Sequence, residues 1–146
     1  MGHDSAASLM SVTRYVIDSP TLLHVIDDDL PIDPSHQLVA PNFLRSEALE
    51  RLLHEVREGR RTEKAALQCH QRMTALKIRL LGDRVSRRTA WDIAVAHDWD
   101  TLRDAEYLAV TRLQADALIT IDEALAAAAA NIVPVAALSD LLSPDR

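Results

Sequence analysis

Four carboxylates stand in local contexts that aim them at one cleft: Asp18 in RYVIDSPTLL, Glu47 in APNFLRSEALERLL, Asp104 in TLRDAEYLAV and Asp122 in LITIDEAL. Each falls at the end of an expected strand or the start of an expected helix. An open α/β sheet collects the carboxyl ends of its strands, and the helix starts that follow, along one edge, and ligands bind in that crevice. Unpaired carboxylates gathered there repel one another, so they hold protons or a hard cation such as Mg2+ or Mn2+. The residue set therefore points to a divalent-metal site suited to phosphodiester chemistry.

Other common sites are excluded by what the chain lacks. Its glycines are Gly2, Gly59 and Gly82, which leaves no glycine loop able to cradle a phosphate. The six histidines are scattered, with no H-E-x-x-H and no Cys/His pairs at zinc spacing. Cys69 and His70 adjoin within a helical stretch, where neighbouring side chains diverge by about 100°, which argues against a Cys/His nucleophile. No G-x-S-x-G elbow is present. Asp27 to Asp29 in VIDDDL look like the acidic pair of a phospho-receiver domain, but no Asp lies between Asp33 and Asp83 and no Lys follows Lys77. That signalling reading is rejected, and the acidic triplet is expected to end a helix on the surface.

The elements that must position the acids alternate between strand and helix. An apolar run over 14–17 ending in Asp18 reads as a buried strand. Ser19-Pro20 then offers a cap and a proline for the first turn of a short helix that stops near Pro31. A second strand is expected over 37–40. Helix follows over 42–58, where Ala48, Leu49, Leu52, Leu53 and Val56 recur at helical spacing before Gly59, and again over 62–76. Residues 78–81 form a candidate strand or extended turn, 85–97 and 100–113 two helices, 117–121 a strand, 123–130 an alanine-rich helix and 132–135 a last strand. Such alternation implies a three-layer α/β/α sandwich around a central, mostly parallel sheet.

Size and composition fit that class. A chain of 146 residues has room for one domain and a real core. Residues 1–12 are expected to be a flexible N-terminus and 13–146 a single domain. Only five aromatics occur, so aliphatic helix-on-sheet packing is expected. No apolar run approaches a membrane span, no signal-peptide pattern opens the chain, and Cys69 is alone; these point to a reducing cytoplasm. The net charge of −6 argues against broad coating of nucleic acid, but clustered active-site acids count toward it until metal neutralises them. Arginine outnumbers lysine fourteen to two, a skew that phosphate recognition or base composition alone would produce.

At these same residues the chain resembles a PIN domain of the VapC-type toxin ribonucleases. The resemblance rests on Asp18-Ser19 at the end of the first strand, Glu47 near the start of the second helix, Asp104 in D-A-E-Y-L-A, and Asp122 after a strand reading A-L-I-T-I-D. It covers essentially residues 14–136 and is most specific from Asp104 to Asp122. It implies a Mg2+- or Mn2+-dependent endoribonuclease acting on structured RNA such as tRNA or ribosomal RNA. Asp18, Asp104 and Asp122 would hold one or two ions, with Glu47 on a second ion or orienting water. Ser19 and Thr120 would hydrogen-bond the carboxylates. A small antitoxin with a basic tail, plugging the acidic cleft, and a homodimer are further implications. The chain departs from the family at Arg103, where an aromatic is usual, and at Pro20; Arg103 can pair with a catalytic carboxylate and displace metal. A PIN-like binding module with little or no catalysis is the alternative function.

Read singly, each acid has a simpler role. Asp18 can end a strand, although Ser19 already suits the cap. Thr101 and Asp104 have capping-box spacing, and Asp122 can cap the helix after ALIT. On a helical wheel Glu47 points away from Leu49, Leu52, Leu53 and Val56, as a solvated glutamate would. Arg79, Arg84, Arg87 and Arg88 can track an RNA backbone or form a solvated face. Trp91 and Trp99 read as packing residues rather than base-stacking platforms.

Overall fold

The computed structural model describes residues 12–144, so the expected flexible segment 1–12 falls outside the described residues except for its last position. Five strands form one sheet: β1 Thr13–Ile17, β2 His36–Pro41, β3 Ile78–Leu81, β4 Ala117–Ile119 and β5 Val135–Ala136. Six α-helices accompany them among the described residues: α1 Ser19–Asp27, α2 Leu44–Arg57, α3 Glu63–Ala75, α4 Arg84–Ala96, α5 Arg103–Gln114 and α6 Glu123–Ala129. The strand order is β3-β2-β1-β4-β5 and every pairing is parallel, where the sequence pattern promised only a mostly parallel sheet. No described helix is long and apolar enough to cross a membrane.

Parallel strands need crossovers, and right-handed crossovers decide which face each helix covers. From β1 through β3 the chain walks one way across the sheet, which puts α1, α2 and α3 on one face. It then returns past β1 to β4 and β5, which puts α4, α5 and α6 on the other. The three-layer α/β/α sandwich follows. Consecutive residues Val16 and Ile17 of β1, and Leu118 and Ile119 of β4, have no exposed surface, as strands covered on both faces require. Helix α5 lies against β1, β2 and β4 and carries α4 on its outer side. It is therefore buried over most of its circumference, from Ala105 and Tyr107 to Thr111.

Several local expectations are corrected. The last strand is Val135–Ala136 rather than 132–135, because the amides of Ile132 and Val133 both turn back to the Ala129 carbonyl and only then does Pro134 reach Leu118. The buried stripe of α2 is Leu44, Ala48 and Leu52, while Leu49 and Leu53 face outward. Trp91 does not pack; α4 buries Ser86, Ala90, Ile93 and Ala94 and leaves the indole 57% exposed. Trp99 is half-buried beside His97. The acidic triplet does end α1: Asp27 binds Arg61 through two hydrogen bonds of 3.0 and 2.7 Å, and Asp29 takes a left-handed backbone at φ 51°.

Leu108 is fully buried between α5 and the sheet, so Leu108→Ala should cost about 2–5 kcal/mol in urea unfolding. Leu53→Ala, on the outward side of α2, should change stability by no more than about 0.5 kcal/mol.

Candidate active site

Strand β1 pairs with β4 with Ile17 opposite Ile119, and Asp18 and Thr120 are the next residues of each. The order of strands reverses between these two, which opens a crevice at their carboxyl ends. Asp18 is 3% exposed there. One carboxylate oxygen accepts from the Thr21 hydroxyl and the other from Thr120 Oγ1 at 2.6 Å. Both hydroxyls also accept backbone amides of the β4 end: Asp122 N to Thr120 at 3.0 Å and Ile121 N to Thr21 at 2.9 Å. Two threonines thus stitch the carboxylate of one strand to the loop leaving the other. Burial holds the Asp18 carboxyl above its ordinary range, and the two threonine hydrogen bonds work against that rise.

Asp18 itself occupies the cap position of α1, through its carbonyl and not its side chain. Ser19 is inside the first turn, so the expected serine cap does not form. Nor does Ser19 hydrogen-bond a carboxylate among the described residues; its hydroxyl accepts from Arg51 Nε at 2.8 Å. Thr120 does bond a carboxylate.

Asp122 caps α6 with one oxygen, which accepts from the amides of Ala124 and Leu125 at 3.0 and 3.2 Å. The second oxygen has no hydrogen bond among the described residues. Asp104 lies in the first turn of α5, and the capping box expected with Thr101 is absent, since Leu102 takes the cap position without a side-chain bond. The Asp104 carboxylate accepts no hydrogen bond among the described residues. Asp104 and Asp122 line one cleft of about 400 Å³, together with Trp99, Thr101 and Leu125. The Asp104 carboxyl is raised above its ordinary range, first by burial, then by the charges of Asp122 and Glu47; Arg51 and Arg103 oppose the rise.

Glu47 is drawn in rather than solvated. Its side chain is 15% exposed, in the first turn of α2, which starts at the same sheet edge. Tyr107 OH donates to one oxygen at 2.6 Å, and Arg103 Nη1 donates to the other at 2.9 Å. Phe43 supports both partners: its ring meets Tyr107 edge-on, and the Arg103 guanidinium lies 4.9 Å from its centroid. Arg103 therefore pairs with Glu47 and not with the three aspartates. Burial and the Glu47 carboxylate push the Tyr107 hydroxyl far up, so it stays a donor at any ordinary pH.

The structure brings Asp104 and Asp122 into one cleft, ties Asp122 to Asp18 through Thr120, and sets Glu47 close enough to raise Asp104. Among the described residues, no three acidic, histidine or cysteine side chains already converge as ligands on one point. The donor set nonetheless suits a hard, hydrated cation: oxygen only, two carboxylates with free oxygens, and, among the described residues, no ion pair to Asp104 or Asp122. Reading the sequence overlooked Thr21, Arg51 and Tyr107. Tyr107 was signalled by its place three residues after Asp104, one helical turn along; the hydroxyl of Thr21 and the guanidinium of Arg51 left no pattern to find.

A solved structure of the PAE2754 protein from Pyrobaculum aerophilum is similar over 91% of this chain and 94% of that one, with 25% identity and a TM-score of 0.70. The Mycobacterium tuberculosis toxin VapC20, which cleaves the sarcin–ricin loop, is similar over 83% of this chain and 98% of that one, with 18% identity and a TM-score of 0.55. No protein-family model matches the chain, and no curated protein sequence does. The fold is that of a PIN/VapC-type domain.

A raised Asp104 makes the metal-free fold depend on pH with a definite sign. Near pH 3 the carboxyl is protonated, folded or unfolded. As pH climbs past the unfolded value of about 4, the unfolded chain releases that proton first, so stability falls until the folded group also ionises. Asp104→Asn lacks this loss. In chelator, its melting temperature should exceed that of the parent at pH 7.5, and the gap should narrow toward pH 3.

Proposed function

We propose that the protein is a metal-dependent endoribonuclease of the PIN/VapC toxin type that cleaves structured RNA. The observation that carries the reading is the unneutralised pair Asp104 and Asp122, linked through Thr120 to buried Asp18, in the crevice where the strand order reverses. Carboxylates are held in that arrangement at a cost, and a divalent cation removes the cost. The likeness to a toxin that cleaves the sarcin–ricin loop supports structured RNA, ribosomal or transfer, as the substrate class.

Asp18, Asp104 and Asp122 would hold Mg2+ or Mn2+, with Glu47 on a second ion or orienting water. A bound ion would lower the pKa of water and offset charge on the phosphoryl oxygens. The chain's own residues do the positioning. Thr21 and Thr120 fix the Asp18 carboxylate, and Tyr107 and Arg103 fix that of Glu47. The first turns of α2 and α5 and the cap of α6 direct amide dipoles toward the acids, which favours their charged forms.

Partner proteins follow from the same reading. We infer a small antitoxin whose basic tail enters the acidic cleft, and a homodimer. Outward Leu49 and Leu53 of α2, with Leu67 and Ala66 of α3, line an apolar groove of about 580 Å³ that suits a protein partner.

A second reading has its own support: both oxygens of Glu47 are already bound, as a PIN-like module without catalysis would allow. Cleavage of labelled RNA separates the two. Asp104→Asn should lower metal-dependent kcat/KM by about 10³-fold or more with an unchanged circular dichroism spectrum. Equal cutting by that variant, or cutting in excess chelator, overturns the mechanism. Mn2+ at a hundred times its Kd should stabilise the parent by about 2.7 kcal/mol, and Asp18→Ala should abolish that gain; no stabilisation at millimolar metal favours the module without catalysis.

A further inference from the structure

Trp91 is the largest side chain left to solvent on α4, and its neighbours are basic. Arg84, Arg87 and Arg88 precede it by seven, four and three residues, which places all three on its side of the helix. All are exposed. Arg88 reaches Asp92 at 3.1 Å in a solvent-exposed pair of little strength, and Arg84 and Arg87 make no ion pair among the described residues. The outer face of α4 thus carries an exposed indole and three exposed arginines on a chain of net charge −6.

The position of this patch ties it to the carboxylate crevice. Strand β3 runs parallel to β1, so α4, which starts just after it, begins at the same sheet edge as Asp18 and Asp122. Helix α4 packs on α5, whose first turn carries Asp104. Arg84, Arg87 and Arg88 all fall in the first two turns of α4, the end that starts at that edge. A polyanion crossing the acids can continue onto α4 without leaving the surface.

We propose that Arg84, Arg87, Arg88 and Trp91 form a second RNA contact, holding a single-stranded segment that flanks the cleaved structure. The indole stacks on one unpaired base, and the guanidinium groups take the phosphates beside it. Every base offers a π-face, and arginine grips phosphate through two donors, so such a platform binds strongly without reading sequence. A second copy of the chain fits this face poorly: a two-fold contact would bury three arginines against a like face on which Asp92 is already paired with Arg88. The proposal takes the identity of its polyanion from the ribonuclease reading.

The test compares a blunt hairpin RNA with the same hairpin carrying a single-stranded tail, by fluorescence anisotropy in chelator so that nothing is cut. Trp91→Ala should weaken binding of the tailed RNA about tenfold and leave the blunt RNA within twofold. Arg84→Gln, Arg87→Gln and Arg88→Gln together should reduce the slope of log K against log salt by about 2. Unchanged affinity of the tailed RNA in both variants overturns the proposal, as does dissociation of an oligomer by Trp91→Ala with RNA affinity intact. With Mg2+ restored, Trp91→Ala should cut the blunt hairpin at the parental rate. A parent that binds tailed RNA through Trp91 but never cleaves leaves the platform standing and removes the ribonuclease reading. A parent that cleaves while both variants bind like it does the reverse.

Discussion

Parallel pairing of β1 with β4 at the middle of the sheet sets Asp18 beside Thr120, and the rest of the site is arranged around that contact. It depends on Val16, Ile17, Leu118 and Ile119, which have no exposed surface and lock the two strands between helix layers. Because side chains alternate along a strand, a slip of one residue would turn Asp18 and Thr120 to opposite faces. Core packing therefore sets the register, and the register sets the chemistry. The two threonine hydroxyls then carry the alignment one step further, to the amides of Ile121 and Asp122.

The acids stand together against their mutual repulsion. Asp18 and Asp104 are both raised, each chiefly by burial, and Asp104 also by the charges of Asp122 and Glu47. What offsets this is local: helix starts at the same edge, the hydroxyls of Thr21 and Thr120, and the Tyr107–Glu47–Arg103 clamp. That clamp also joins α2 to α5 from opposite faces of the sheet, over its carboxyl end. The arginines of α4 add positive charge beside the crevice: Arg88 pairs with Asp92, and among the described residues Arg84 and Arg87 make no ion pair.

Much of this was legible in the chain. The strand ending in Asp18, the helix opening at Asp104 and the strand before Asp122 follow from apolar runs bounded by acids and turn residues. A mostly parallel sheet in three layers follows from the alternation of strands with helices, and the structure adds that every strand pairing is parallel. The errors have a common origin. By spacing alone Leu49 and Leu53 read as the buried side of α2, and Trp91 as packing, because apolar residues at helical spacing ordinarily find a neighbour within the domain. The short strand Val135–Ala136 was displaced because Ile132 and Val133 are as β-prone as their successors, and the turn closing on Ala129 leaves no sequence pattern.

Sequence alone determined which residues lie at strand ends and helix starts, since that depends on local periodicity and caps. It also determined the oxygen-only character of the site, a matter of residue type. Only the tertiary structure decided the distant partners: Thr120 for Asp18, Tyr107 and Arg103 for Glu47, and, among the described residues, no hydrogen bond for Asp104. These partners come from elements as far as a hundred residues apart, brought together by the sheet order. Hydrogen bonds act over a few ångströms, and no local pattern encodes which distant side chain will come within that range.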